Sequence, residues 1–253
     1  MKHSDVHEPS EPEREPTSSL DDAISPPPLD AASGDADSKE DSQPERAELE
    51  QEPSAAALLF GDRIEVARAF VADLADRGEQ LGLIGPLELP RLWTRHVVNS
   101  ALMAPLLRPG RVGDIGSGAG LPGLVLAIAR PDVDFVLIEP MERRVAWLNE
   151  QKDLLGLTNV EVVRARAEDA QLSPWLDQAT ARAVSALSKL IPLVAPLMKS
   201  GGEMLFFKGA SVDAEIEKAA KVIRKHRLHD IEVLTLGSDV GTETTRVFRA
   251  TVD

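Results

Sequence analysis

The chain has 253 residues, no cysteine and a formal net charge of −14. That length accommodates one α/β domain with extensions. The missing cysteine excludes disulfides, thiolate metal sites and cysteine nucleophiles, including cysteine-dependent chemistry at pyrimidine C5.

The acidity is local. Residues 1–53 hold 4 Lys and Arg against 16 Asp and Glu, which leaves 24 against 26 for residues 54–253. Those first residues contain eight prolines and no aromatic residue. Such a segment buries too little apolar surface to offset its ordering entropy, so a disordered acidic tail is expected over 1–53. No apolar run approaches the ~18 residues of a membrane span, and no basic-then-apolar signal peptide opens the chain. The expectation is a soluble cytoplasmic protein.

Residues 56–83 place Ile64, Ala67, Val71 and Leu74 on one face of a helix. Gly78, Gly82 and Gly85-Pro86 interrupt the pattern. A second helix is predicted after Pro90, with Leu92, Trp93, His96 and Val97 on a face, ending near Pro105. Both precede the first strand and read as an N-terminal helical cap, 54–108.

From Val112 strands and helices alternate. Strand 112–115 leads to helix 121–129, strand 135–138 to helix 142–155, and strand 160–164 to a short helical piece. Strand 179–184 leads to helix 189–198, strand 203–208 to helix 212–226, and strands 231–236 and 245–252 follow. This alternation predicts a mostly parallel seven-stranded α/β sheet with helices on both faces over 109–253, a Rossmann-like architecture. Its ligands bind at the carboxyl ends of the strands, near the switch point.

One stretch organises this half. Val112 to Gly123 reads V-G-D-I-G-S-G-A-G-L-P-G. A strand runs into Gly116, Gly118 and Gly120, and Leu121 opens the helical run that follows. Strand, glycine turn and helix start make a nucleotide-binding unit. A dinucleotide fingerprint spaces its glycines G-x-G-x-x-G, whereas here they alternate and Asp114 stands two residues before the first. An acid there would repel a pyrophosphate and suits a ligand carrying an ammonium and a sulfonium.

Further candidates end the other strands. Glu139 lies 23 residues after Gly116, where an acid accepts ribose hydroxyls. Ala167 and Glu168 follow the third strand and are placed to meet the adenine, although Asp169 also reads as a helix cap. Arg182, amid small and apolar residues, is expected at the site mouth, gripping a carboxylate or a base edge. Lys208, before Gly209, points into the same crevice. His96 shares a helix face with Trp93 and Asn99, an arrangement more often structural than catalytic. Basic clusters occur at Arg143-Arg144, at Arg164 with Arg166, and over Lys218–Arg227. The five histidines show no metal-ligand spacing.

The pattern D-x-G-x-G-x-G resembles motif I of the class I S-adenosylmethionine (SAM) methyltransferases. From about Phe60 onward the chain resembles the bacterial small-subunit ribosomal RNA guanine-N7 methyltransferases, historically called glucose-inhibited division protein B. The stretches that carry this are L-W-T-R-H-V-V-N-S (92–100), D-I-G-S-G-A-G-L-P-G (114–123), Glu139, R-A-E-D (166–169), A-R-A (181–183) and K-G (208–209). The resemblance implies SAM as cofactor and a guanine of small-subunit rRNA, free or in the assembled subunit, as substrate. It implies cofactor contacts at Gly116, Leu121, Ala167, Glu168 and Arg182. The family usually carries serine before that arginine, where this chain has Ala181.

Guanine N7 offers a free lone pair, so in-line methyl transfer needs alignment and cation stabilisation but no general base. N7 and O6 are acceptors that Arg182 or Lys208 can grip. These two are the expected catalytic residues, and replacing Arg182 with alanine is expected to remove most activity while sparing the fold. The competing readings are a small-molecule methyltransferase, a nicotinamide-dependent oxidoreductase and a cofactor-binding module without turnover. A monomer without membrane attachment is expected.

Overall fold

The computed structural model describes residues 47–253; residues 1–46, and with them most of the expected acidic tail, lie outside the described residues. Residues 47–53, which composition assigned to that tail, run along the folded body. The Glu50 carboxylate accepts the Thr94 N–H at 2.9 Å, and Glu52 pairs with Arg68 at 2.8 Å. These acids are hydrogen-bonding partners of the domain rather than solvated charge, so order begins earlier than composition indicates.

The first predicted helix forms as α1 (Ser54–Phe60) and α2 (Ile64–Arg77), separated by a 3₁₀ turn over Gly61–Arg63. The second winds as a π-helix, Leu92–Val98, before a single α turn, α3 (Asn99–Ala101). Side chains enter its hydrogen-bond ladder: Glu50 takes Thr94 N–H, and Ser100 Oγ donates to the His96 carbonyl at 2.6 Å. Periodicity cannot register this widened turn, because two turns are too short to show its drift.

Among the described residues seven strands form one sheet in the order β3-β2-β1-β4-β5-β7-β6. The strands are β1 (Arg111–Ile115), β2 (Asp134–Ile138), β3 (Val160–Val163), β4 (Leu176–Ala181), β5 (Met198–Lys208), β6 (Leu228–Leu236) and β7 (Thr245–Val252). β1 to β5 are parallel, and β7 runs antiparallel between β5 and β6. The helices α4 (Gly123–Ala129), α5 (Glu142–Leu154), α6 (Leu187–Val194) and α7 (Val212–Lys225) connect them. After β3 the chain returns to the other side of β1, so the switch point lies between β1 and β4.

Both faces of the sheet are buried, and successive residues serve opposite faces. Phe135 and Leu137 of β2 and Leu205 and Phe207 of β5 join one apolar cluster, which includes Phe70, Leu74, Leu92 and Trp93 from the N-terminal helices. Val136, Ile138, Met204 and Phe206 join the other, with Leu187, Ile191 and Phe248.

β4 is the strand whose predicted limits differ most. The sequence predicts it over 179–184, but the strand spans Leu176–Ala181. Ala183 adopts φ +55°, a left-handed conformation that ends any strand. An L-residue there stores about 1–2 kcal/mol of backbone strain, which a β-branched side chain increases. Ala183→Val is therefore expected to lower stability by about 1 kcal/mol, and Ala183→Gly to lower it by none. Denaturant unfolding checks this: equal loss in both variants would show that side-chain contact, not backbone strain, governs the position.

Candidate functional site

The glycine turn stands at the carboxyl end of β1. Gly120 sits at φ +91°, and a Cβ on it would lie 2.4 Å from Leu124 Cδ1, so only glycine fits the turn against α4. Gly118 sits at φ +57°, and a Cβ on it would meet nothing nearer than the Gly116 carbonyl at 3.8 Å. A ligand can approach that backbone closely.

The two predicted acids hold the turn from behind. Asp114 is fully buried, and its Oδ2 accepts the Gly123 N–H at 3.0 Å. Burial, with the nearby Glu139 charge adding, pushes its carboxyl up to about 7. Glu139 is 2 % exposed; its Oε2 accepts the Gly118 N–H and its Oε1 the Met141 N–H, both at 2.9 Å. From α5, Trp147 Nε1 donates to the Ala119 carbonyl at 3.0 Å. Thus Asp114 and Glu139, read from the sequence as facing the ligand, are oriented toward main-chain amides of the turn. Glu139 has both carboxylate oxygens bonded to amides, whereas Asp114 Oδ1 is buried without a partner, so burial of Asp114 is only partly offset.

In front of the turn lies a cavity of about 350 Å³, within the range of small-molecule sites. Its walls are Gly116, Ser117, Gly118, Ala119 and Leu121 from the turn, Leu83 to Gly85 and Glu88 from the loop after α2, His96 from the π-helix, Arg144 from α5, and Arg182 with Ala183 after β4. Arg144 Nε is buried with no hydrogen-bond partner. Of the nine predicted cofactor residues, Gly116, Gly118, Leu121 and Arg182 line this cavity. Asp114, Gly120 and Glu139 shape the turn without lining it. Ala167 is packed in the second apolar cluster and Glu168 is exposed, both in a 3₁₀ turn after β3.

Arg182 forms a clamp between β4 and the π-helix. Nη1 donates to the His96 carbonyl at 3.0 Å and to Ser100 Oγ at 2.9 Å; Nη2 donates to the Arg95 carbonyl at 3.1 Å and to His96 Nδ1 at 2.7 Å. His96 Nε2 lies 2.5 Å from Glu88 Oε2. Burial, reinforced by the Arg182 and Arg95 charges, holds the imidazole below its usual range, so it is neutral at pH 7. With Nδ1 accepting from Arg182, the remaining proton is on Nε2 and is donated to Glu88. Burial raises the Glu88 carboxyl, but hydrogen bonds from His96 and Arg91 outweigh it and leave it below its ordinary value. Burial, with the Arg95 charge adding, lowers Arg182 to about 10, still protonated at pH 7. The sequence reading found no acid–histidine pair. Glu88 lies eight residues before His96 across Pro90, a spacing without helical periodicity, and no local signal joins the two.

Lys208 ends β5 with its side chain 7 % exposed, donating to the Ser185 carbonyl at 2.8 Å and to Glu215 Oε2 at 3.0 Å. It lines a second cavity of about 440 Å³ on the other side of Arg182 and Ala183, which border both.

A sheet of this order, with a glycine turn closing a cavity at the β1/β4 switch point, is the class I SAM-dependent methyltransferase fold. Among solved structures, TYW2 from P. horikoshii in complex with MeSAdo shares it with a TM-score of 0.50 at 17% identity, covering 62% of each chain. The chain belongs to the rRNA small subunit methyltransferase G family, whose model matches residues 63–242. Relatives named ribosomal RNA small subunit methyltransferase G include one from Leifsonia xyli subsp. xyli, 67% identical over 204 residues, 81% of this chain and 98% of the relative. Another, from Corynebacterium glutamicum, is 49% identical over 197 residues, 76% and 88% of the two chains.

Proposed function

We propose that the chain transfers a methyl group from SAM to N7 of a guanine in small-subunit ribosomal RNA. The observation that carries the reading is the occupied helix start behind an open glycine turn. The Gly123 amide, where a dinucleotide would set its pyrophosphate, is bonded to the Asp114 carboxylate. A nicotinamide cofactor is disfavoured there, and a cationic ligand lying along Gly116 to Gly118 is not.

The residues present fit SAM. Gly116, Gly118 and Leu121 form the floor, and the ionised Glu88 faces the cavity as a partner for an ammonium. Arg144 and Arg182 supply positive charge for a carboxylate. We assign Asp114, Gly120 and Glu139 to holding the turn, and the 3₁₀ turn at Ala167 and Glu168 to the adenine side. When bound, SAM supplies a methyl group on an electrophilic sulfonium. The protein's part is alignment: Arg182 fixes the π-helix against β4, and Lys208 is held at the neighbouring cavity. The Glu88–His96 pair does not serve as a base, since both ring nitrogens are engaged, and guanine N7 needs none. On α7, Lys218, Lys221, Arg224 and Lys225 are exposed and offer a surface for the RNA backbone. Among the described residues no helix is long and apolar enough to cross a membrane. The proposed substrate places the protein in the cytoplasm, acting as a monomer on rRNA or the assembled subunit.

The test is transfer of labelled methyl from SAM to small subunits and to naked rRNA from cells lacking the modification. The product is mapped by chain cleavage selective for N7-methylguanine. Label at one guanine is expected; SAM binding without label in either RNA would overturn the assignment.

A further inference from the structure

We infer that the second cavity is the pocket of the target guanine, and that the Lys208–Glu215 pair reads the base's Watson–Crick edge; this rests on the guanine-N7 reading above. The cavity has its own chemistry. Leu190 and Phe207 give it apolar walls, and Ser185 Oγ is buried there without a hydrogen-bond partner. Lys208 Nζ uses two of its three N–H groups, on Ser185 O and Glu215 Oε2, and keeps one. Glu215 Oε2 also accepts the Leu187 N–H at 3.2 Å, which leaves Oε1 available.

The pair therefore presents one donor beside one acceptor, in fixed order. Guanine's Watson–Crick edge presents the complement: O6 accepts, and N1–H with the 2-amino group donates. Lys208 matches O6 and Glu215 matches the donors, as the edge of cytosine would. Adenine puts an amino group where O6 stands and a lone pair where N1–H stands, so a donor would meet the ammonium and an acceptor the carboxylate. Gripping this edge also leaves N7 free, because N7 lies on the opposite side of O6. Arg182 and Ala183 line both cavities, and N7 turned toward them meets the neighbouring cavity.

The experiment uses small subunits reconstituted with rRNA bearing either guanine or inosine at the mapped position. Inosine keeps O6, N1–H and N7 and lacks only the 2-amino group. The wild-type protein is expected to prefer guanine by about tenfold or more in kcat/KM. Glu215→Ala brings the ratio close to one. Glu215→Gln keeps an oxygen for Leu187 N–H but turns an amide donor toward the base, so its ratio also falls; it carries the test if the alanine variant does not fold. A purely structural role for Glu215 slows both substrates alike and leaves the ratio unchanged. Equal wild-type rates on guanine and inosine, or an unchanged ratio in the variants, would overturn the inference. Failure of the wild-type protein on guanine subunits would instead overturn the methylation reading.

Discussion

Arg182→Ala is expected to reduce methyl transfer by about 100-fold or more, as loss of a positioned donor does, and to cost about 3 kcal/mol of stability. The two effects share one cause. The guanidinium donates to two carbonyls, a hydroxyl and an imidazole on the π-helix and the turn after it, and alanine leaves all four without that donor. Arg182→Lys restores the charge but not the fork, because one ammonium cannot span the Arg95 and His96 carbonyls together with His96 Nδ1. Both variants should show reduced SAM affinity by calorimetry and a lower unfolding midpoint in urea. The sequence expectation is that the fold is spared; the clamp adds that the alanine variant folds with reduced stability. An alanine variant with wild-type stability would remove the clamp from the account, and one with wild-type turnover would remove Arg182 from the site.

The second large effect is on pH dependence. Asp114 holds its proton up to about pH 7 in the folded protein and, as an ordinary aspartate, only to about 3.9 in the unfolded chain. Between those values the native state binds more protons, so stability falls as pH rises and levels off above about 7. A shift of that size is worth about 4 kcal/mol. Asp114→Asn removes this titration and keeps an acceptor for Gly123 N–H. Urea unfolding of both proteins between pH 4.5 and 8 isolates the effect, because groups that do not interact with position 114 cancel in the difference. The asparagine variant should gain steadily on the wild type as pH rises; parallel curves would show that the buried carboxylate is not the titrating group.

How legible all this was depended on how local each determinant is. β1, β2 and the glycine turn are legible because a strand buried on both faces is a short apolar run and a tight turn needs glycine, both short-range requirements. β7 matched its predicted limits, Thr245–Val252, for the same reason. Asp114 and Glu139 stand out in the sequence from their places near the ends of the first two strands; the structure adds their bonds to main-chain amides. A sequence does not say whether a carboxylate faces a ligand or an amide behind it. The Glu88–His96–Arg182 chain was invisible because its members lie on three separate segments that only tertiary packing brings together. Glu215 carries no sequence signal of its own, although its partner Lys208 stands just seven residues earlier.

Arg182 and Ala183 form a partition with a cavity on each side. Occupants of the two cavities would touch the same two residues, the route by which any coupling between them would run. Such a coupling is symmetric by thermodynamic necessity. If the cofactor tightens the hold on RNA by some factor, RNA tightens the hold on the cofactor by that same factor.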